Sequence, residues 1–142
     1  MLTAQTQAMD VSEKSNVKLY ISWALQIIIA GLFPMFGLNK LIGNESAVAL
    51  FSTLGVEPWG RYATGGFEVI AAILILVPRL VVYGAGLTAG IMLGAIFSHL
   101  TVLGIDGMFV MAVLLLIAAD VVLLLRRNEW PILAGSTEPS QN

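Results

Sequence analysis

The chain has 142 residues, of which 58% are hydrophobic and 11% are charged, and its formal net charge is −2. Soluble domains carry about 25% charged residues, and a soluble fold this short could not bury so much apolar surface, so the composition indicates an integral membrane protein. The slightly acidic balance gives no support for nucleic acid as a partner, and the lack of cysteine excludes disulfides, thiolate nucleophiles and iron–sulfur clusters.

The two ends of the chain are polar. Residues 1–16 are mixed in charge and lack the apolar run and small-residue cleavage site of a secretory signal, so they are predicted to form a disordered or interfacial tail. Residues 128–142 are predicted to form a C-terminal tail. Its last part, Gly135–Asn142, has too few apolar side chains to stabilise an ordered structure.

Four apolar stretches lie between these ends, each close to the roughly 20 residues that a membrane-spanning helix needs. They run over residues 17–36, 62–77, 80–103 and 108–125. Pro34 is expected to kink the first helix or tighten its end. Pro78-Arg79 leaves room only for a tight turn, so the helices on either side are antiparallel neighbours. The predicted fold class is all-α, an integral membrane four-helix bundle over residues 17–127.

The distribution of lysine and arginine predicts the orientation. With four spans, both termini lie on one side, together with the Pro78-Arg79 turn. That side carries five basic residues, and the other side carries Lys40 and Arg61 only. Both termini are therefore predicted to be cytoplasmic, with the lipid bilayer as the main partner of the chain.

The connection between the first and second spans, residues 43–60, then lies on the outer face. Its apolar part, Glu45–Leu54, is too short to cross a bilayer. It is typical of an interfacial helix that lies on the membrane or caps the bundle, with Trp59 at the level of the lipid headgroups.

Small residues recur at a spacing of four along the third stretch. They are Gly86, Gly90, Gly94 and Ser98. This spacing lets a neighbouring helix backbone approach closely. It predicts packing within the bundle, with an interface between two copies of the chain as the alternative.

Ionisable side chains inside a membrane usually face the protein interior and mark a site. Gln26 and Lys40 share one face of the first helix, and Arg61 and Glu68 share one face of the second, about 10 Å apart along its axis. His99 lies near the outer end of the third helix. We expect Lys40, Glu68 and His99 to meet in one pocket, with Arg61 at its mouth and Gln26 deeper in the membrane.

Two interpretations of this polar cluster remain open. In the first, Glu68 pairs with Lys40 or Arg61, His99 is hydrogen-bonded, and the network fixes how the helices align. In the second, the cluster is a ligand-binding or proton-relay site that serves a quinone oxygen or a small polar ligand. No metal site is predicted, because only one glutamate and one histidine converge.

Asp120 lies apart from this cluster, in the cytoplasmic half of the fourth helix. Long side chains at the helix ends, those of Arg79 or Arg127, could extend to it. A structural ion pair is the favoured interpretation, with a transport carboxylate as the alternative.

An ordered set of short motifs resembles the DoxX-like family of small four-helix bacterial membrane proteins, from about residue 20 to residue 100. The motifs are Trp23-x-x-Gln26, Gly37-x-x-Lys40-Leu41, Phe51-x-x-Leu54-Gly55-x-x-Pro58-Trp59-x-Arg61, Gly65-Gly66-x-Glu68 and Met92-x-x-Ala95-x-x-x-His99. The resemblance implies a location in the bacterial inner membrane. The residues of this chain that match positions typical of the family are Gly37, Lys40, Pro58, Glu68 and His99.

Three functions follow from the residues and the resemblance together. Some relatives are subunits of thiosulfate:quinone oxidoreductase, which favours a quinone-interacting subunit of a membrane oxidoreductase, with quinone as the candidate cofactor. Distant relatives act as assembly chaperones or cargo receptors, which favours a scaffold with a protein partner or a second copy. Glu68 and Asp120 at two depths would suit a small proton-linked transporter or lipid-binding protein.

Overall fold

The computed structural model describes residues 2–127, and this part of the chain is all-helical. Its helices are α1 (Leu2–Leu41), α2 (Glu45–Thr53), α3 (Trp59–Leu76), α4 (Val81–Ser98) and α5 (Gly107–Leu125). A π-helical segment, His99–Leu103, continues α4. The all-α prediction is therefore confirmed for the described residues. The predicted C-terminal tail, residues 128–142, lies outside them.

Helix α1 is much longer than predicted at both ends. It has 40 residues, so it extends over about 60 Å. The predicted tail is helical from Leu2 onward rather than irregular, although its position relative to a membrane stays a prediction. Among the side chains that the structure describes, Ser22 is the first that is buried, and those before it are exposed. The helix also continues through Pro34 to Leu41 and does not end at the proline.

Helix α2 occupies the predicted interfacial segment. The Asn44 side chain caps it by accepting a hydrogen bond from the Ser46 backbone N–H at 3.1 Å. Gly43 precedes this cap with a φ of +74°, a left-handed conformation that glycine adopts without steric cost. Phe51 is buried, and α2 contacts α1, α3 and the π-helical segment. The segment thus caps the ends of the longer helices, whereas Trp59 is exposed and begins α3.

Helices α3 and α4 form the predicted tight hairpin around Pro78-Arg79. They lie closest at Gly84, where an added Cβ would be 2.4 Å from the Ile75 backbone nitrogen. Only glycine fits there, because a side chain would overlap the backbone of the facing helix. A second turn, at Gly104, leads into α5, and the Asp106 carboxylate caps α5 by accepting from the Phe109 N–H at 2.9 Å.

The four long helices pack in neighbouring pairs. Helix α1 packs against α3 and α5, and α4 packs against the same two helices. The interior is apolar, with Ile29, Phe33, Ile75, Ala85 and Ala119 fully buried. Hereafter the Lys40 end is the end where α1 terminates, and the Ser22 end is the opposite one.

Three helical stretches of the described chain are long and apolar enough to cross a membrane. They are Ser12–Leu41, Val81–Leu103 and Gly107–Leu125. Helix α3 is not among them, because the charged residues Arg61 and Glu68 lower its mean hydropathy. The four-helix transmembrane bundle is therefore not confirmed, and the structure supports three candidate spans in an all-helical protein.

Candidate functional site

A crossing of two glycines brings α1 and α3 together. An added Cβ at Gly37 would lie 2.8 Å from the Gly65 carbonyl oxygen, and one at Gly65 would lie 2.9 Å from the Gly37 carbonyl oxygen. The two backbones are therefore in direct contact. Each glycine also faces a charged residue of the other helix, since Gly65 lies against Cβ of Lys40 and Gly37 against Cβ of Glu68.

Lys40 and Glu68 form an ion pair across this crossing. The Lys40 ammonium donates to both carboxylate oxygens at 2.8 Å, and the two side chains are 19% and 4% exposed. Because helical side chains lean toward the N-terminus of their helix, the long Lys40 chain extends back along α1 to reach Glu68. The same ammonium lies 5.9 Å from the centre of the Phe36 ring.

This pair leaves one donor of Lys40 unused. An ammonium has three N–H groups, and the hydrogen bonds of Lys40 to described residues are the two to Glu68. The partly exposed Lys40 and the adjacent Phe36 ring thus combine a hydrogen-bond donor with an aromatic surface.

Arg61 has a different role from the predicted one. Its Nη1 donates to the Lys40 backbone carbonyl at the C-terminus of α1, which also accepts from the Gly43 N–H at 3.2 Å, and its Nε donates to Glu57 at 2.8 Å. The guanidinium also stacks 4.3 Å from the centre of the Tyr62 ring. Arg61 therefore fixes the end of α1 and the backbone of Lys40 instead of standing at the mouth of a pocket.

Arg61→Met is expected to lower the melting temperature in detergent by several degrees. The substitution removes the cation at the C-terminus of α1, one of the two hydrogen bonds to the Lys40 carbonyl, and the charged partner of Glu57. Circular dichroism measures the change. Arg127→Met is the matched control, since Arg127 is exposed, and an equal loss in both variants would contradict the capping role.

His99 does not join the Lys40–Glu68 pair. It is buried, and its Nδ1 lies 2.9 Å from the Gly104 carbonyl oxygen and 3.3 Å from Asp106 Oδ1. Phe109 packs edge-on against its ring at 6.1 Å. The turn into α5 supplies these partners, so the prediction that one pocket unites His99 with Glu68 is not supported by the contacts of the described residues.

Gln26 lies near the opposite end of the molecule. It is fully buried and donates to Ser22 Oγ at 2.7 Å, and Arg126 Nε donates to the same hydroxyl at 3.1 Å. Gln26 Oε1 has no hydrogen-bond partner among the described residues. This group links α1 to the end of α5.

An apolar layer separates the two polar groups. Gln26 and Lys40 are about 21 Å apart along α1, and Ile29 and Phe33 lie between them on the same face, both with 0% exposure. No polar side chain of that face of α1 bridges this interval.

The predicted packing stripe of α4 points outward. Gly86, Gly90 and Gly94 are exposed, and a Cβ added at any of them would meet nothing within 4 Å. The prediction of packing within the chain is therefore wrong for these residues. The glycines that do pack are Gly37, Gly65 and Gly84, because they face another helix backbone.

Asp120 is also exposed. It forms no ion pair with Arg79 or Arg127 in the part of the chain that the structure describes. Asp120 lies on the outward side of α5, away from the face that carries the buried Leu115, Ala119 and Val122.

Sequence reasoning missed Glu57 and Ser22 as parts of these networks. Glu57 lies four residues before Arg61, the spacing of a favourable helical ion pair, so that signal was available. Ser22 lies four residues before Gln26 in the same way. The contact with Arg126 is long-range and had no local signal.

Comparison with known proteins gives one match. The model of the DoxX-like family matches residues 24–121, which is more than half of the chain and includes the Lys40–Glu68 pair. No curated protein and no solved structure matches the chain.

Proposed function

The chain belongs to the DoxX-like family, and from that premise we propose that it is a quinone-interacting subunit of a membrane oxidoreductase. It crosses the bacterial inner membrane four times in this proposal, with α3 as the fourth span and both termini in the cytoplasm. Helix α3 can cross with its charges because Glu68 is paired with Lys40 and Arg61 with Glu57.

The observation that carries the proposal is the buried Lys40–Glu68 ion pair. The free energy lost when two charges are removed from water is about as large as the free energy gained from their attraction. Well-packed apolar residues would therefore hold α1 and α3 together at least as well. The direct backbone contact of Gly37 with Gly65 already fixes that crossing. A charged pair that the fold does not need points to a ligand.

The Lys40 ammonium and the adjacent Phe36 ring could together bind a planar compound with a carbonyl group. A quinone oxygen accepts hydrogen bonds, and the third N–H group of Lys40 is available to donate one. The Phe36 ring beside the ammonium offers an aromatic face for stacking. A bound quinone would supply the redox chemistry, since the sequence contains no cysteine and a single histidine.

The residues of this chain would bind and orient the ligand. Lys40 donates to the carbonyl oxygen and keeps an ammonium proton beside it, Glu68 keeps the ammonium aimed, and Arg61 fixes the Lys40 backbone. Electrons come from a partner subunit in this scheme.

Gentle extraction from the native membrane, followed by mass spectrometry, tests the proposal. Wild type is expected to carry a near-stoichiometric quinone, and Glu68→Gln is expected to lose most of it, because a neutral amide no longer positions the ammonium. Circular dichroism checks that the variant is folded.

Glu45→Gln is the matched control for this experiment. Glu45 is an exposed carboxylate at the start of α2, outside the network, so the variant should keep the ligand. A wild-type protein without quinone, or equal retention in both variants, would contradict the proposal.

A non-catalytic scaffold is the second candidate. Both carboxylates of the network, Glu57 and Glu68, have partners within the chain, so the network can stabilise the helices without any ligand. A partner protein that co-purifies with wild type and Glu68→Gln alike, without a small molecule, would favour this function. The transporter candidate is weaker, because the apolar layer of Ile29 and Phe33 interrupts a proton path along α1.

A further inference from the structure

The outward surface of α4 and α5 contains a charge that the chain itself does not pair. Asp120 is exposed on α5, a helix apolar enough to span a membrane, and it forms no ion pair or hydrogen bond with a described residue. It lies five residues before the end of α5, about 7.5 Å along the axis. A carboxylate at that depth is unfavourable in lipid unless a donor or cation covers it.

A complementary charge lies at the same end of the molecule. Arg79 stands in the turn before α4, is exposed, and takes part in no ion pair with the described residues. Because α4 and α5 are antiparallel neighbours, the start of α4 and the end of α5 share the Ser22 end. Counted from the ends of the two helices, Arg79 and Asp120 are separated by about 10 Å along the axes, a distance that an extended arginine side chain and the aspartate side chain cover together.

The surface beside Asp120 is open to a helix backbone. On the neighbouring helix α4, no side chain covers the backbone at Gly86, Gly90 and Gly94, and no atom lies within 4 Å of a Cβ added at any of them. In a membrane, such bare stripes allow two helices to approach closely. The glycines show only that a helix could pack closely on this surface. The unpaired charges of Arg79 and Asp120 indicate which molecule packs there.

We propose that a second copy of this chain docks on the outward face of α4 and α5. The glycine stripes of the two copies lie against each other, and Arg79 of each copy pairs with Asp120 of the other. A two-fold axis along the membrane normal keeps every residue at its own depth and forms both ion pairs at once. The chain carries both members of the complementary pair, which favours a second copy over a foreign helix.

Charge-reversal variants, reconstituted in lipid nanodiscs, test the proposal. Native mass spectrometry measures how many copies of the chain each nanodisc complex contains. Wild type is expected to be a dimer. Arg79→Asp and Asp120→Arg should each give monomers, because a single reversal places like charges together. The double variant Arg79→Asp/Asp120→Arg restores opposite charges and should restore the dimer, a rescue that a general folding defect would not show.

Two glycine variants test the docking face separately. Gly90→Leu should abolish the dimer by filling the stripe, whereas Gly66→Leu should leave it intact, since Gly66 is equally open but lies on α3. Circular dichroism establishes that each variant is folded. A monomeric wild type, a dimer that survives both single reversals, or a complex of one copy with a different polypeptide would overturn the proposal.

Discussion

Glu68→Leu is expected to lower the free energy of unfolding by about 3–5 kcal/mol, because removing one partner of a buried ion pair leaves the other charge unpaired. Lys40 is 19% exposed and can turn partly toward the membrane surface, so the lower part of this range is the expected result. Reversible unfolding in mixed micelles, followed by circular dichroism, measures the change.

The double variant Lys40→Met/Glu68→Leu distinguishes the effect of losing the ion pair from the effect of leaving one buried charge unpaired. Two apolar side chains of similar volume should recover most of the lost stability, since apolar residues commonly replace a buried ion pair without loss. The variant should nevertheless lose the bound quinone. If the two single losses simply add in the double variant, Lys40 and Glu68 are not energetically coupled.

Gly84→Ala is expected to destabilise the protein by about 3 kcal/mol, at the upper end of the usual cost of overpacking. The added Cβ would lie 2.4 Å from the Ile75 nitrogen and 2.7 Å from its Cα, and backbone atoms cannot rotate away as a side chain can. The hairpin of α3 and α4 would have to open. The same unfolding experiment measures the loss.

Gly66→Ala provides the matched control, in the other helix of the same hairpin and outside the face proposed for the second copy. Its added Cβ meets nothing within 4 Å, so the variant should be as stable as wild type or slightly more stable, because alanine favours helix over glycine. Equal destabilisation by both substitutions would show that the effect of Gly84 does not come from contact with α3.

Helical periodicity predicted which faces point inward, and the structure confirms this for the polar faces. Gln26, Phe33 and Gly37 of α1 are buried, as are Gly65 and Glu68 of α3. The sequence predicts such faces because residues three or four apart lie on the same side of a helix and are therefore buried or exposed together. The same argument predicted that Glu68 pairs with Lys40 or with Arg61, and the structure contains the pair with Lys40.

Periodicity gave no information on which glycines touch another helix. Gly84 and Gly86 are both small residues on α4, yet one is in contact with Ile75 and the other is exposed. The difference depends on the rotation of α4 relative to α3, which is a property of the assembled helices. His99 was misplaced for a related reason, since Gly104 and Asp106 in the following turn provide nearer partners than Glu68.

The charged network at the Lys40 end is electrically neutral, since Glu57 and Glu68 balance Lys40 and Arg61. The voltage across an energised membrane acts on net charge, with a free energy of about 2.3 kcal/mol per elementary charge moved through 100 mV. The intact network therefore feels almost no net force when the voltage changes. Neutralising Glu68 alone would leave one uncompensated positive charge, and any motion of that charge through the membrane field would then depend on the voltage.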